Sequence, residues 1–143
     1  MTTRRHFITT GTWALTGLSL SRGAETDSKG WIDAHVHVWP DETKKYPVAK
    51  GYRKSGLRAS FTPEDLFAEC HPQGVSRIVL IQMSFYQFDN SYMLDVMSKY
   101  KGVFGGVAII DEKAPNLAER MRKLKEQGIR GFRVYANAKN AST

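Results

Sequence analysis

Cysteine is nearly absent. Cys70 is the only one in 143 residues, which excludes an internal disulfide and any zinc site built from several thiolates. Long apolar runs are missing too. The mildly apolar stretch over residues 8–20 is broken by Gly11, Gly17 and small hydroxyl side chains, and it falls short of the about 20 predominantly apolar residues that span a bilayer. No glycine-rich phosphate loop follows the first strand pattern, where a dinucleotide fold would carry one. Clustered Lys and Arg interleaved with aromatics, as a nucleic-acid groove needs, are also lacking. The chain has 21 Lys plus Arg against 14 Asp plus Glu, a net charge of +7. Three of those cations, Arg4, Arg5 and Arg22, lie in an N-terminal stretch of 24 residues that holds no acid. The rest are spread over loops and helix faces, so solvated charge explains the surplus better than a nucleic acid or membrane partner.

What remains, with 41% apolar and 24% charged residues, is the composition of one globular domain. Its N-terminus reads as an export signal over residues 1–24, with 25–30 as a polar spacer. Arg4 and Arg5 stand just before Phe7 and the apolar run, a charged region followed by a hydrophobic one. The pair resembles the bacterial twin-arginine signal, although Thr9 stands where a lysine is frequent. Periplasmic or secreted localisation is therefore expected, with a disordered basic N-terminus as the alternative. Arg22 spoils a small-x-small cleavage site ending at Ala24, and no cysteine is near to carry a lipid anchor.

The chemistry concentrates in WIDAHVHVWP, residues 31–40. On a strand the side chains alternate, so His35 and His37 share a face with Asp33 while Ile32, Ala34, Val36 and Val38 take the other. Two readings stay open on these residues alone: an edge strand with a wet face, and a metal or substrate site at a strand end.

Downstream, the pattern is regular. Residues 39–60 form a long connection, a length usually functional or disordered. Thr62, Pro63, Glu64 and Asp65 supply an N-cap, a proline at the first helical position and first-turn acids, with Phe61 placed to staple against Leu66. That helix ends by His71, before Pro72 and Gly74. Cys70 and His71 face different ways there, a core thiol beside an exposed imidazole. Residues 76–82 carry the unbroken apolar, largely β-branched run 78–81, as suits a strand buried on both faces, and a polar-aromatic loop over 83–89 follows. A helix over 90–100 aligns Tyr92, Met93, Val96, Met97 and Tyr100 as a core stripe. A strand over 104–110, a helix carrying Leu117, Met121 and Leu124 and closed by Gly128, and a strand over 131–135 complete the order β-α-β-α-β-α-β. Strands two to four start roughly 26 to 28 residues apart, the rhythm of βαβ units in a parallel sheet. Both an open doubly wound sheet and a (β/α)8 barrel have it.

The blocks IDAHVHVW (32–39), PEDL (63–66), GVSRIVLIQ (74–82) with SFY (84–86) and DNSY (89–92), GVAIID (106–111) and GIRGFR (128–133) resemble, in order, those of the amidohydrolase-related family of β/α-barrel hydrolases. Within it the likeness is to the branch of sugar- and dicarboxylate-lactone hydrolases that includes 2-pyrone-4,6-dicarboxylate lactonase. The resemblance implies an α/β fold, residues 31–143 forming the first four β/α units of a TIM-like barrel. It implies that His35 and His37 bind a divalent ion, commonly zinc, or face substrate directly in members that work without one. It implies that Arg133 reads a substrate carboxylate, the other reading being an arginine that closes the barrel interior by pairing with Asp33 or a neighbour, and that Ser84 and Tyr86 line the pocket, although both suit a surface turn equally well. The expected partner is a small carboxylated molecule. A full barrel takes about 250 residues, and the family draws further ligands from strands five and six and its aspartate base from strand eight. The expectation is thus the N-terminal part of a hydrolase acting on a lactone or similar carboxylated ester or amide, inactive as it stands. The alternative is a non-catalytic half-barrel that dimerises through exposed edges or binds a metal or carboxylate ligand.

Overall fold

The computed structural model describes residues 30–54 and 56–134. The expected export signal lies outside them. Four strands, β1 (Trp31–Val36), β2 (Val75–Ile81), β3 (Phe104–Ile109) and β4 (Ile129–Arg133), form one sheet in sequence order. All neighbouring pairs are parallel. Helices α1 (Pro63–Cys70), α2 (Ser91–Lys99) and α3 (Leu117–Glu126) alternate with them, as the order of apolar patterns predicts.

Each helix starts and stops for local reasons. At α1 the Thr62 hydroxyl accepts from the Asp65 N–H and the Asp65 carboxylate accepts from the Thr62 N–H, a complete capping box ahead of Pro63. A 3₁₀ turn over His71–Gln73 then ends at Gly74, whose φ of 78° suits glycine. The Cys70 thiol is buried, which pushes its pKa up, while His71 is exposed and stacks on Phe67. In α2, Tyr92, Met93, Val96 and Met97 are all buried, the core stripe that its spacing predicts. In α3, by contrast, Leu117, Met121 and Leu124 are only half-buried.

The core lies between the sheet and these helices. Ile78 and Leu80 of β2, each 1% exposed, pack in it with Ala108, Ile129, Leu66, Met93 and Met97. At Gly106 of β3 a Cβ would come within 2.6 Å of the Ile129 Cδ1 and 2.7 Å of the Met97 sulfur, so α2, β3 and β4 pack closely there and those side-chain ends would have to move for a larger residue. The long connection is closed at its base by an antiparallel bridge, with Trp39 and Phe61 exchanging two backbone hydrogen bonds of 2.8 Å. Tyr46 from its middle is buried against Tyr92. The described part of the connection is thus anchored at its base and at Tyr46.

The structure departs from the pattern-based expectation in three places. The first strand ends at Val36, short of the connection expected from residue 39, and its alternation is interrupted, because Asp33 pairs with Ile78 while Val36 pairs with Leu80, three steps against two. Such a bulge re-aims side chains. Ile32, 53% exposed, and Ala34 consequently do not pack as alternation predicts, whereas Val36 and Val38 do. The fourth strand starts at Ile129 rather than Gly131, since Gly128 with φ 99° ends α3 and releases the chain at once. The loop after β2 contains a 3₁₀ turn, Ser84–Tyr86.

Candidate functional site

The site is built at the C-terminal end of β1. His35 lies within the strand and His37 one residue beyond it. At the bulge the His35 N–H is taken by the Asp33 carboxylate at 3.1 Å, which orients the backbone carrying the first imidazole. The second is oriented by β2: His37 Nδ1 lies 2.7 Å from the Ile81 carbonyl oxygen. A carbonyl can only accept, so Nδ1 carries the proton and, in the neutral ring, Nε2 presents a lone pair.

The two Nε2 atoms stand 3.3 Å apart with the rings edge-on, centroids 5.0 Å apart. Without a ligand, one imidazole can donate to the other. The same distance passes a test for metal: two imidazole nitrogens at about 2.0–2.1 Å from a tetrahedral zinc lie about 3.3–3.4 Å apart. The His37 Nδ1–H bonded to a backbone carbonyl is also the outer contact that metal-binding imidazoles usually make. Loss of solvation on burial lowers the His37 pKa, against the raising effect of its bond to Ile81, and lesser electrostatic effects of the neighbouring His35 and Arg133 act in the lowering direction. A neutral His37 is the form that binds a metal. Among the described residues no group of three or more His, Cys, Asp or Glu side chains is gathered that could hold an ion.

Arg133 ends β4, paired in register with Ile109, and is exposed. Because the strands all run parallel, it stands at the same C-terminal end of the sheet as the histidines, although β1 and β4 are opposite edges. Ser84 opens the 3₁₀ turn and is exposed. Tyr86 is in the core against Phe85, its hydroxyl buried without a hydrogen-bond partner and its pKa pushed up to about 12 by burial. A cavity of about 340 Å³ lies elsewhere, between α2 and α3, lined among others by Asn90, Leu94, Ile110, Arg120 and Lys123.

Sequence reasoning missed the Ile81 carbonyl, because a backbone acceptor has no residue signature. It also missed Gln82 and Asn90, the buried polar side chains at the ends of β2 and of the loop after it. Gln82 had a signal, an amide closing an unbroken apolar run.

The family model described as "Amidohydrolase" matches residues 32–141. An L-fucono-1,5-lactonase of Burkholderia multivorans is 26% identical over 102 residues, 71% of this chain and 34% of that protein. A crystal structure of a probable 2-pyrone-4,6-dicarboxylic acid hydrolase from Acinetobacter baumannii, with citric acid bound, superposes with a TM-score of 0.62 at 24% identity, covering 72% of this chain and 36% of that one. An amidohydrolase of Burkholderia multivorans with bound zinc superposes at 0.53 with 25% identity, again over 72% and 36%. The chain spans about a third of the length of these relatives, and its four parallel strands with alternating helices are part of a TIM-type barrel.

Proposed function

The chain belongs to the amidohydrolase family, and from that premise we propose that His35 and His37 are two ligands of a divalent-metal centre in a hydrolase acting on a lactone or related carboxylated ester, with Arg133 taking a carboxylate of the substrate. The observation that carries this reading is the 3.3 Å convergence of the two Nε2 atoms behind a His37 whose Nδ1–H is committed to Ile81. The lactone class is supported by the lactonase relative, and zinc by the zinc-containing neighbour.

The chemistry such an ion supplies is Lewis acidity, polarising a carbonyl or acidifying water. The chain's own residues prepare for it. Partial burial favours the neutral form of His37, the Ile81 carbonyl keeps its proton on Nδ1, and Asp33 accepts from the His35 backbone. Arg133 offers a planar fork of donors matched to a carboxylate. Catalytic zinc takes three protein ligands and two are gathered among the described residues, so this pair alone is expected to bind the ion weakly and not to support turnover.

Zinc titration of the purified chain, with His35→Ala and His37→Ala as controls, tests the centre; equal metal content in all three removes it. A lactone hydrolysis assay tests the second half, and turnover by the chain alone, abolished in His37→Ala, would overturn the claim of inactivity. Export of residues 1–24 is part of the same reading: a reporter fused behind them should reach the periplasm, and Arg4→Lys with Arg5→Lys should stop it.

A second reading, self-association of a non-catalytic half-barrel, draws on Trp31 at 75% exposure and on exposed Ile32 and Val134, which lie at the two outer strands. Sedimentation of a monomer at all concentrations would sink it.

A further inference from the structure

Two amide side chains are buried where β2 turns into α2: Gln82, 3% exposed, and Asn90. Burial of an amide is costly unless its hydrogen bonds are made, and both make them. The Gln82 Nε2 donates to the Asp89 carbonyl and its Oε1 accepts from the Met83 N–H at 3.2 Å. Asn90 Oδ1 accepts from the Ile109 N–H at 3.1 Å, while its Nδ2 donates to the carbonyls of Ile109 at 3.0 Å and Phe88 at 3.1 Å. One amide therefore folds the loop back on the end of β2, and the other ties that loop to the end of β3.

Gln82 has a special place in this brace because it shares a peptide group with Ile81. In a planar trans peptide the C=O and the N–H point in opposite directions. Here the Gln82 N–H donates to the Val107 carbonyl of β3 at 3.0 Å, and the Ile81 carbonyl accepts from His37 on the β1 side. Whatever holds residue 82 against β3 and the loop thereby aims the Ile81 oxygen at the imidazole.

We propose that Gln82 is a positioning residue for His37: by locking the 81–82 peptide it keeps the imidazole proton on Nδ1 and leaves the Nε2 lone pair directed at His35. Asn90 stabilises the same loop but acts on β3, away from that peptide. The value of this arrangement for ligand geometry rests on the metal-centre reading, whereas the tautomer itself does not.

The test is the tautomer of His37 in the ¹⁵N-labelled full chain, read from two-bond imidazole correlations, with binding of zinc ion alone measured in parallel. Wild type should hold His37 in the Nδ1–H form. Gln82→Met, similar in volume but unable to make either side-chain bond, should raise the Nε2–H form to a comparable population and weaken zinc binding about 10- to 100-fold, the usual effect of losing an outer contact. Asn90→Ser should lower the Tm at least as much yet leave the tautomer as in wild type, which a merely structural role for Gln82 would not predict. If Gln82→Met does not fold, Gln82→Glu, which keeps an acceptor for Met83 and loses the donor to Asp89, is read in the same way. A wild-type Nε2–H form, an unchanged tautomer in the Gln82 variant, or an equal change in Asn90→Ser overturns the proposal. Zinc failing to bind wild type while the tautomers behave as stated would instead overturn the metal centre and leave the positioning role standing.

Discussion

The helix-covered face of the sheet and its histidine-bearing mouth are made by the same four strands under opposite rules. On the covered face Ile78, Leu80, Ala108 and Ile129 are almost wholly removed from water and packed against Leu66, Met93 and Met97. At the mouth, His35 and Arg133 are exposed and His37 is half-buried. Stability is therefore invested in β2 and β3, where burial is worth roughly 25 cal/mol per Å². The candidate chemistry hangs on β1 and β4, the outer strands, where water keeps convergent nitrogen atoms inexpensive until a ligand replaces it. Precision at the mouth is supplied from the inner strands, through the Ile81 carbonyl and the amides behind it.

The sharpest way to break that contrast is to truncate one aliphatic residue on each of the paired strands β1 and β2. Leu80→Ala removes a side chain that is 1% exposed and should cost about 2–5 kcal/mol, whereas Ile32→Ala on β1, at 53% exposure, should cost about 0.5 kcal/mol. Urea midpoints with unchanged slopes measure both; equal losses would show that β1 is as much a part of the core as β2. Next in size is Gly106→Ala. The added methyl meets Ile129 and Met97 at under 3 Å, and overpacking of this kind costs about 1–3 kcal/mol, read as a drop in Tm. A neutral result would mean that the covered face is looser than its contacts imply.

The same contrast explains what could be read from the sequence. The covered face was legible because it obeys period and punctuation: the stripe of α2, the Thr62–Pro63 start of α1 and the stops at Gly74 and Gly128 were all visible in local residue choice. The histidine pair was legible as a motif. Alternation also put His35 and His37 on one face, where their Nε2 atoms meet, whereas the bulge between Asp33 and Val36 is a property of strand pairing rather than of β1 itself. Tyr86 illustrates the same limit. Its side chain lies in the core beside Phe85, a placement set by the fold of the 3₁₀ turn, which composition does not announce.

A smaller effect separates the two regions by pH. The folded-state pKa of His37 lies below its ordinary 6.5, chiefly because burial strips its solvation. The native state then binds fewer protons than the unfolded one, so this contribution to stability is present above about pH 6.5 and is lost as pH falls through the lowered value. Unfolding curves at several pH values, for wild type and His37→Asn, should show a shallower acid loss in the variant. Identical slopes would mean that the imidazole is as well solvated at the mouth as in the unfolded chain.

The smallest expected effect lies on the helix side, where a lysine and a tyrosine share one carboxylate. Lys99 at 2.8 Å and the Tyr100 hydroxyl both donate to Glu64, and hold its pKa down at about 2. The sign again favours neutral pH: the contribution is complete above the ordinary carboxylate value and disappears as pH drops toward 2. The Lys99 and Glu64 side chains are, however, 65% and 58% exposed, and water and salt screen most of such an attraction. Lys99→Met should therefore shift the acid unfolding midpoint less than His37→Asn does, and the shift should vanish in high salt, whereas the desolvation of His37 is indifferent to salt. A larger, salt-resistant effect from Lys99→Met would place a buried electrostatic anchor on the face that otherwise owes its stability to apolar packing.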